Sequence, residues 1–215
     1  MTDNNVSAYF NDNAAQCAAL WDSIDRAAFH SDILPAIDAK ARSAGKPLQV
    51  LDIGAGSGAD AAMLAARGHH VLAVDPSEKL LEHARQKFPD PGIEYLQDEL
   101  PALSRVKERG EKFDIVFLSA VWQYIPPAQW KESLEAIRDL AKPGALALIS
   151  YPTPPSREYQ YDVDFAAFKK VLQQVNEEGG GQFNIIDVSS KPDPKGRTAL
   201  NGQPLNHWKI ILGCG

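Results

Sequence analysis

The sequence predicts an α/β protein: one mostly parallel sheet of seven strands, helices on both faces, and the last strand antiparallel. Three observations carry this. From Leu48 onward, short apolar runs alternate with stretches of helical spacing. The runs hold few charges, as strands covered on both faces must. The last two runs are joined by a turn-rich connection instead of a helix, which suits an antiparallel pair.

Taken in order, the region from about Ser7 to Ser43 has helical spacing, with Leu20, Ile24, Ala27 and Ala28 on one face and Ile33 and Ile37 on the next. Gly45-Lys46-Pro47 ends it. Leu48 to Ile53 reads as a buried strand running into glycines. Ala59 to Arg67 is a helix closed by Gly68, Val71 to Val74 a strand, and Ser77 to Lys87 a helix capped by Ser77. Ile93 to Leu96 and Phe113 to Leu118 are the third and fourth strands. Trp130, Leu134, Ile137 and Ala141 share a face of the next helix, stopped by Pro143-Gly144. Ala145 to Ile149 is the fifth strand, Phe165 to Val175 a helix, Phe183 to Val188 the sixth strand and Trp208 to Leu212 the seventh. The connection from Ser189 to Asn206 carries Pro192, Pro194, Gly196, Asn201-Gly202 and Pro204, and connections of that length often carry function. Residues 1–45 form a helical extension, and 46–215 the sheet-bearing core.

The 215 residues include 22 Lys and Arg against 28 Asp and Glu, a net charge of −6. That balance gives no footprint for duplex nucleic acid or an anionic membrane surface. Cys17 and Cys214 form no metal or redox spacing, so the expectation is a reducing cytoplasm and no disulfide framework. The polar start, Met1-Thr2-Asp3-Asn4-Asn5, lacks the pattern of a signal peptide. Adjacent His69 and His70 enter a strand and point to opposite faces, so no metal site is expected.

Val50-Leu51-Asp52-Ile53-Gly54-Ala55-Gly56-Ser57-Gly58-Ala59-Asp60 holds the strongest signal: a strand, three alternating glycines and a helix start. Glycine lets a backbone approach a ligand closely, and a helix start favours anions. A plain tight turn needs fewer glycines. Gly54, Gly56 and Ala59 satisfy the dinucleotide pattern, and the acidic Asp52 stands two residues before the first glycine. Asp75, at the end of the second strand, can accept both hydroxyls of a ribose.

In this order and spacing, the segment from about 48 to 150 resembles class I S-adenosylmethionine-dependent methyltransferases, which have a Rossmann-like seven-stranded sheet. The resemblance rests on Asp52 with Gly54, Gly56 and Gly58, on Asp75, on Asp98 after the third strand, on Phe113 to Pro126, and on Leu140-Ala141-Lys142-Pro143-Gly144. It implies that Asp52 and the backbone of Gly54, Ala55, Gly56 and Gly58 hold the methionine end and sugar edge of S-adenosylmethionine. Asp75, followed by Pro76 and Ser77, would hold the ribose, Asp98 with Glu99 or Leu100 the adenine, and Ser119 and Ala120 the amino group. No Asn-Pro-Pro-Tyr or Asp-Pro-Pro-Tyr follows the fourth strand, which disfavours amino methylation of bases or glutamine amides. Neither cysteine stands near the donor, which disfavours cytosine C5 chemistry.

The implied activity is methyl transfer to O or N of a small molecule. An RNA or protein methyltransferase and a non-catalytic donor-binding protein remain alternatives, as does a NAD-binding protein for the cofactor. Methyl transfer from a sulfonium needs alignment above all, and a base only for an acceptor that arrives protonated. Tyr124 and His207 are the candidates for that base, with His83 and His30 behind them. Tyr9, Trp122, Tyr124, Tyr151 and Arg157 are candidate acceptor contacts, and the extension bearing Tyr9, Phe10 and Trp21 is a candidate lid.

Overall fold

A computed structural model describes residues 4–179, 182–193 and 195–215. Met1, Thr2 and Asp3 of the polar start and Pro194 of the long connection lie outside the described residues. Seven strands form one sheet in the order β3-β2-β1-β4-β5-β7-β6. They are β1 (Gln49–Ile53), β2 (His70–Asp75), β3 (Ile93–Gln97), β4 (Phe113–Ser119), β5 (Ala141–Thr153), β6 (Phe183–Pro192) and β7 (Asn206–Cys214). The first five pair in parallel. Strand β7 runs antiparallel to both β5 and β6, as a last strand reached without a helix should. The strand order reverses between β1 and β4, and open α/β sheets bind ligands at the carboxyl side of such a point.

Alternation along the strands separates two apolar layers. Leu51, Leu72, Val116 and Ile210 face α8 (Trp130–Leu140) and α9 (Phe165–Glu178), whose Leu134, Ile137 and Phe168 are buried against them. Val50, Val71, Ile115 and Leu148 face α4 (Leu34–Ala44) and α5 (Ala59–Ala65) on the other side. Helix starts follow local chemistry. The Ser77 hydroxyl accepts the Leu80 amide at the head of α6 (Glu78–Lys87), and the Asp164 carboxylate accepts the amides of Ala166 and Ala167 at the head of α9.

Three expectations need correction. The N-terminal region is four helices, α1 (Asn4–Asp12), α2 (Ala14–Asp22), α3 (Arg26–Phe29) and α4, so the periodicity does not run through it. Asp25 caps α3 and breaks the register, which leaves Leu20, Ala27 and Ala28 exposed, while Ala14 and Ala18 are the buried residues of α2. Ala141 belongs to β5, not to the helix before it. Lys142, Pro143 and Gly144 lie inside that strand, where the register against β4 jumps from Phe113↔Ala141 to Ile115↔Leu146. Lys142 holds this bulge by an ion pair to Asp114 at 2.8 Å. A short helix, α7 (Ser104–Glu108), also stands between β3 and β4.

Candidate active site

A cavity of about 250 Å³ opens at the carboxyl ends of the parallel strands. Gly54 after β1, Asp75 ending β2, Asp98 after β3 and Ser119 ending β4 all reach it, so strand ends distant in sequence converge there. Of the residues expected to hold the donor, Gly54, Ala55, Gly56, Asp75, Pro76, Asp98, Glu99, Leu100, Ser119 and Ala120 line it.

Asp75 organises the loop. Its Oδ2 accepts the Gly56 N–H and its Oδ1 the Ser77 N–H, both at 2.9 Å. Burial pushes its carboxyl up to about 6, against those two amides, which favour the charged form. Gly56 adopts φ +55, and a Cβ there would stand 2.9 Å from the Trp21 ring. The glycine therefore keeps the wall of the cavity thin beneath an aromatic cover. Asp98 is tied as well, with Oδ1 accepting the Glu99 amide and Oδ2 the Val106 amide.

Asp52, Gly58 and Ser77 stand behind the lining. Asp52 is buried beneath the loop, its Oδ2 without a partner among the described residues, and burial together with the nearby Asp60 raises its carboxyl well above the usual range. Gly58 lets α5 approach α6, since a Cβ would lie 2.8 Å from that of Ala84. The Ser77 hydroxyl is spent on the helix cap and on Asn11.

The acceptor side is only partly as expected. Tyr124 and His207 both line the cavity. The Tyr124 hydroxyl accepts from Gln160 Nε2 at 3.2 Å, and burial raises its phenol, which opposes formation of a phenolate base. His207 Nε2 meets Asp193 Oδ2 at 2.8 Å; burial lowers the imidazole while the carboxylate raises it. Trp122 and Tyr151 are fully buried in the sheet layer, where Trp122 packs edge-on against Phe168 at 5.3 Å, so neither walls an acceptor pocket. Trp122 lies in a short turn after β4, and Tyr151 lies within β5 itself. Tyr9 and Arg157 also lie outside the lining, and Tyr9 packs on Tyr159 at 4.8 Å. Of the lesser candidates, His83 pairs with Asp22 and His30 with Asp60, each at 3.0 Å.

Phe10 and Trp21 of the candidate lid line the cavity from above. Sequence reasoning missed Arg26 and Phe29 beside them, and Asp60, which lines it from α5. Asp60 is buried and pairs with His30 and with Arg26, the latter at 3.2 Å. Burial opposes its ionisation, yet His30 and Arg26 together hold its carboxyl well below the usual range. Partners thirty and thirty-four residues away leave no mark in local spacing. Gln123 was also missed. It is buried, lines the cavity and donates to the Ala120 carbonyl at 2.5 Å.

Comparison with known proteins agrees with this architecture. Residues 50–144, from β1 into the start of β5, match the family described as a methyltransferase domain. Demethylmenaquinone methyltransferase of Clavibacter sepedonicus is 28% identical over 170 residues, covering 77% of this chain and 64% of that protein. Ubiquinone biosynthesis O-methyltransferase of Aromatoleum aromaticum is 34% identical over 115 residues, covering 53% and 47%. The chain thus spans between about half and just under two thirds of the length of these curated relatives. Among solved structures, magnesium protoporphyrin IX methyltransferase from Synechocystis PCC 6803 with bound S-adenosylmethionine shares the fold, with a TM-score of 0.67, 18% identity and coverage of 97% and 96%. So does 1,6-didemethyltoxoflavin-N1-methyltransferase of Burkholderia thailandensis, with a TM-score of 0.65, 21% identity and coverage of 96% and 86%. Residues 50–144 thus resemble a methyltransferase domain, and the chain shares the fold and strand order of these solved methyltransferases.

Proposed function

We propose that this protein transfers a methyl group from S-adenosylmethionine to an oxygen or nitrogen of a small molecule. One observation carries the reading: a thin glycine wall at Gly56 and a buried carboxylate at Asp75 meet in one cavity at the strand-order reversal. The residues present fit the donor. Asp75 keeps unused lone pairs for a ribose diol beyond the two backbone amides it accepts. Arg26 lines the cavity and supplies a cation for an amino-acid carboxylate. The backbone of Ser119 and Ala120 would face the donor's amino group, and Asp98, Glu99 and Leu100 its base.

When bound, the donor supplies a methyl group on a positively charged sulfur, open to in-line displacement. The contribution of the protein is alignment and exclusion of water, effects worth up to roughly 7–11 kcal/mol in well-oriented systems. Helices α1 to α3 act as the cover, because Phe10, Trp21 and Phe29 close the cavity from above. A small acceptor suits an enclosed site of this kind better than a duplex or a protein surface. Free Cys17 and Cys214 suit a reducing cytoplasm; no described helix is long and apolar enough to cross a membrane.

The test is titration calorimetry with S-adenosylmethionine, S-adenosylhomocysteine and NAD. The expected result is binding of both sulfur nucleosides and not of NAD, with affinity lost in Asp75→Ala. Binding of NAD alone would overturn the reading.

A further inference from the structure

The far wall of the cavity carries charge that donor binding does not use. Asp193 follows directly on β6, and its side chain is 1% exposed. It accepts the backbone amides of Lys195 and Arg197 and the His207 ring N–H. Arg197 adds Nε at 3.1 Å and Nη2 at 2.7 Å to the same carboxylate, which fixes the plane of its guanidinium. Arg197 lines the cavity, and its Nη1 makes no hydrogen bond among the described residues. A guanidinium clamped along one edge offers its remaining donors, already ordered, to a planar oxyanion.

A second cavity of about 300 Å³ adjoins this wall and shares Ile24, Phe29 and His207 with the first. Lys191, Lys195 and Lys209 line it against a single carboxylate, Asp25. That carboxylate is spent on the Ala28 amide at the head of α3. Asp32 answers Lys209 at 2.6 Å and Lys191 at 3.5 Å. Lys195 donates to Ser23 Oγ at 2.7 Å and has no carboxylate partner among the described residues. In a chain of net charge −6, this is a local excess of cations.

We infer that Arg197, with Lys195 and Lys191 beside it, forms a subsite for an oxyanion on the methyl acceptor, which is therefore a small carboxylic acid or phosphate ester. This rests on the donor occupying the opposite half of the cavity. The clamp on Asp193 holds the guanidinium in place before the acceptor arrives, so little ordering is left to be done on binding. The two lysines stand at the adjoining mouth, where they draw an anion inward.

The experiment titrates three probes into protein loaded with S-adenosylhomocysteine: 4-hydroxybenzoate, phenyl phosphate and the uncharged methyl 4-hydroxybenzoate. At least one acid is expected to bind about tenfold or more tightly than the ester, and the tighter acid identifies carboxylate or phosphate as the recognised group. Arg197→Gln is expected to abolish that preference, with the ester and S-adenosylhomocysteine bound as before. If Arg197→Gln fails to fold, the exposed pair Lys191→Gln and Lys195→Gln is expected to weaken the acids alone. Equal affinity for acid and ester overturns the subsite, and so does binding of none of the three by protein that holds S-adenosylhomocysteine. A preference that survives in both variants overturns it too. Failure to bind S-adenosylhomocysteine at all is a different result, and it overturns the donor reading on which the subsite rests.

Discussion

Gly56 hangs from Asp75: the carboxylate that ends β2 accepts the Gly56 N–H at 2.9 Å and so sets the loop that leaves β1. Burial raises that carboxyl to about 6, so the folded protein holds its proton longer than the unfolded chain does. Without ligand, stability should therefore fall as pH rises from about 4 to about 6, by up to about 3 kcal/mol. Donor affinity should move the other way, because a ribose diol donates to the ionised form. Calorimetric titrations from pH 5 to 8 are expected to show affinity rising through about pH 6 and then levelling. Asp75→Asn should abolish the rise.

Gly58 separates packing from binding within the same loop. Its φ of +79 suits glycine, and an added Cβ would press on Ala84 at 2.8 Å and Tyr95 at 3.2 Å, away from the cavity lining. Gly58→Ala should cost about 1–3 kcal/mol by overpacking, read as a lower midpoint in urea. Gly56→Ala faces the Trp21 ring instead. It should lose donor affinity out of proportion to its loss of stability.

These two glycines mark what the sequence discloses. The alternation of strands and helices, the glycine loop and the acids at strand ends are local patterns, and a periodicity or a spacing reveals them. Trp122 lies just past β4, which Ser119 ends, and Tyr151 lies near the end of β5, yet both are fully buried. Which of several residues after a strand faces the cavity depends on how the chain turns there, and spacing does not record it. Leu20 looked apolar and periodic but is exposed, because Asp25 starts a new helix five residues later. Arg26, Phe29 and Asp60 were hidden because their meeting depends on α3 lying over α5.

The Asp60 cluster is a costly feature to disturb. Its carboxylate is buried between Arg26 and His30. Asp60→Ala would leave the Arg26 charge with its Nε already unpartnered among the described residues. Breaking a buried pair in this way costs about 3–5 kcal/mol. The measurement is chemical denaturation at pH 7. The removal of Arg26 together with Asp60 should restore part of the loss, since no uncompensated charge then remains.

Asp193 offers an acid-side counterpart to Asp75. Burial opposes its ionisation, but Arg197 and His207 outweigh it and hold the carboxyl below the ordinary range. For a carboxyl lowered on folding, the stabilisation is present above the unfolded value near 4 and is lost as pH falls toward the folded value. The loop from 195 to 205 should therefore stay closed at neutral pH and loosen on acidification. Asp193→Asn removes the charge while keeping the shape, so it should loosen the loop at pH 7 as well. Hydrogen exchange reads this directly at the Lys195 and Arg197 amides, both of which bond to Asp193 Oδ1. They should exchange at least about tenfold faster in the variant, while the amides of β7 keep their protection. Unchanged rates at those two amides would show that the loop is held by something other than this carboxylate.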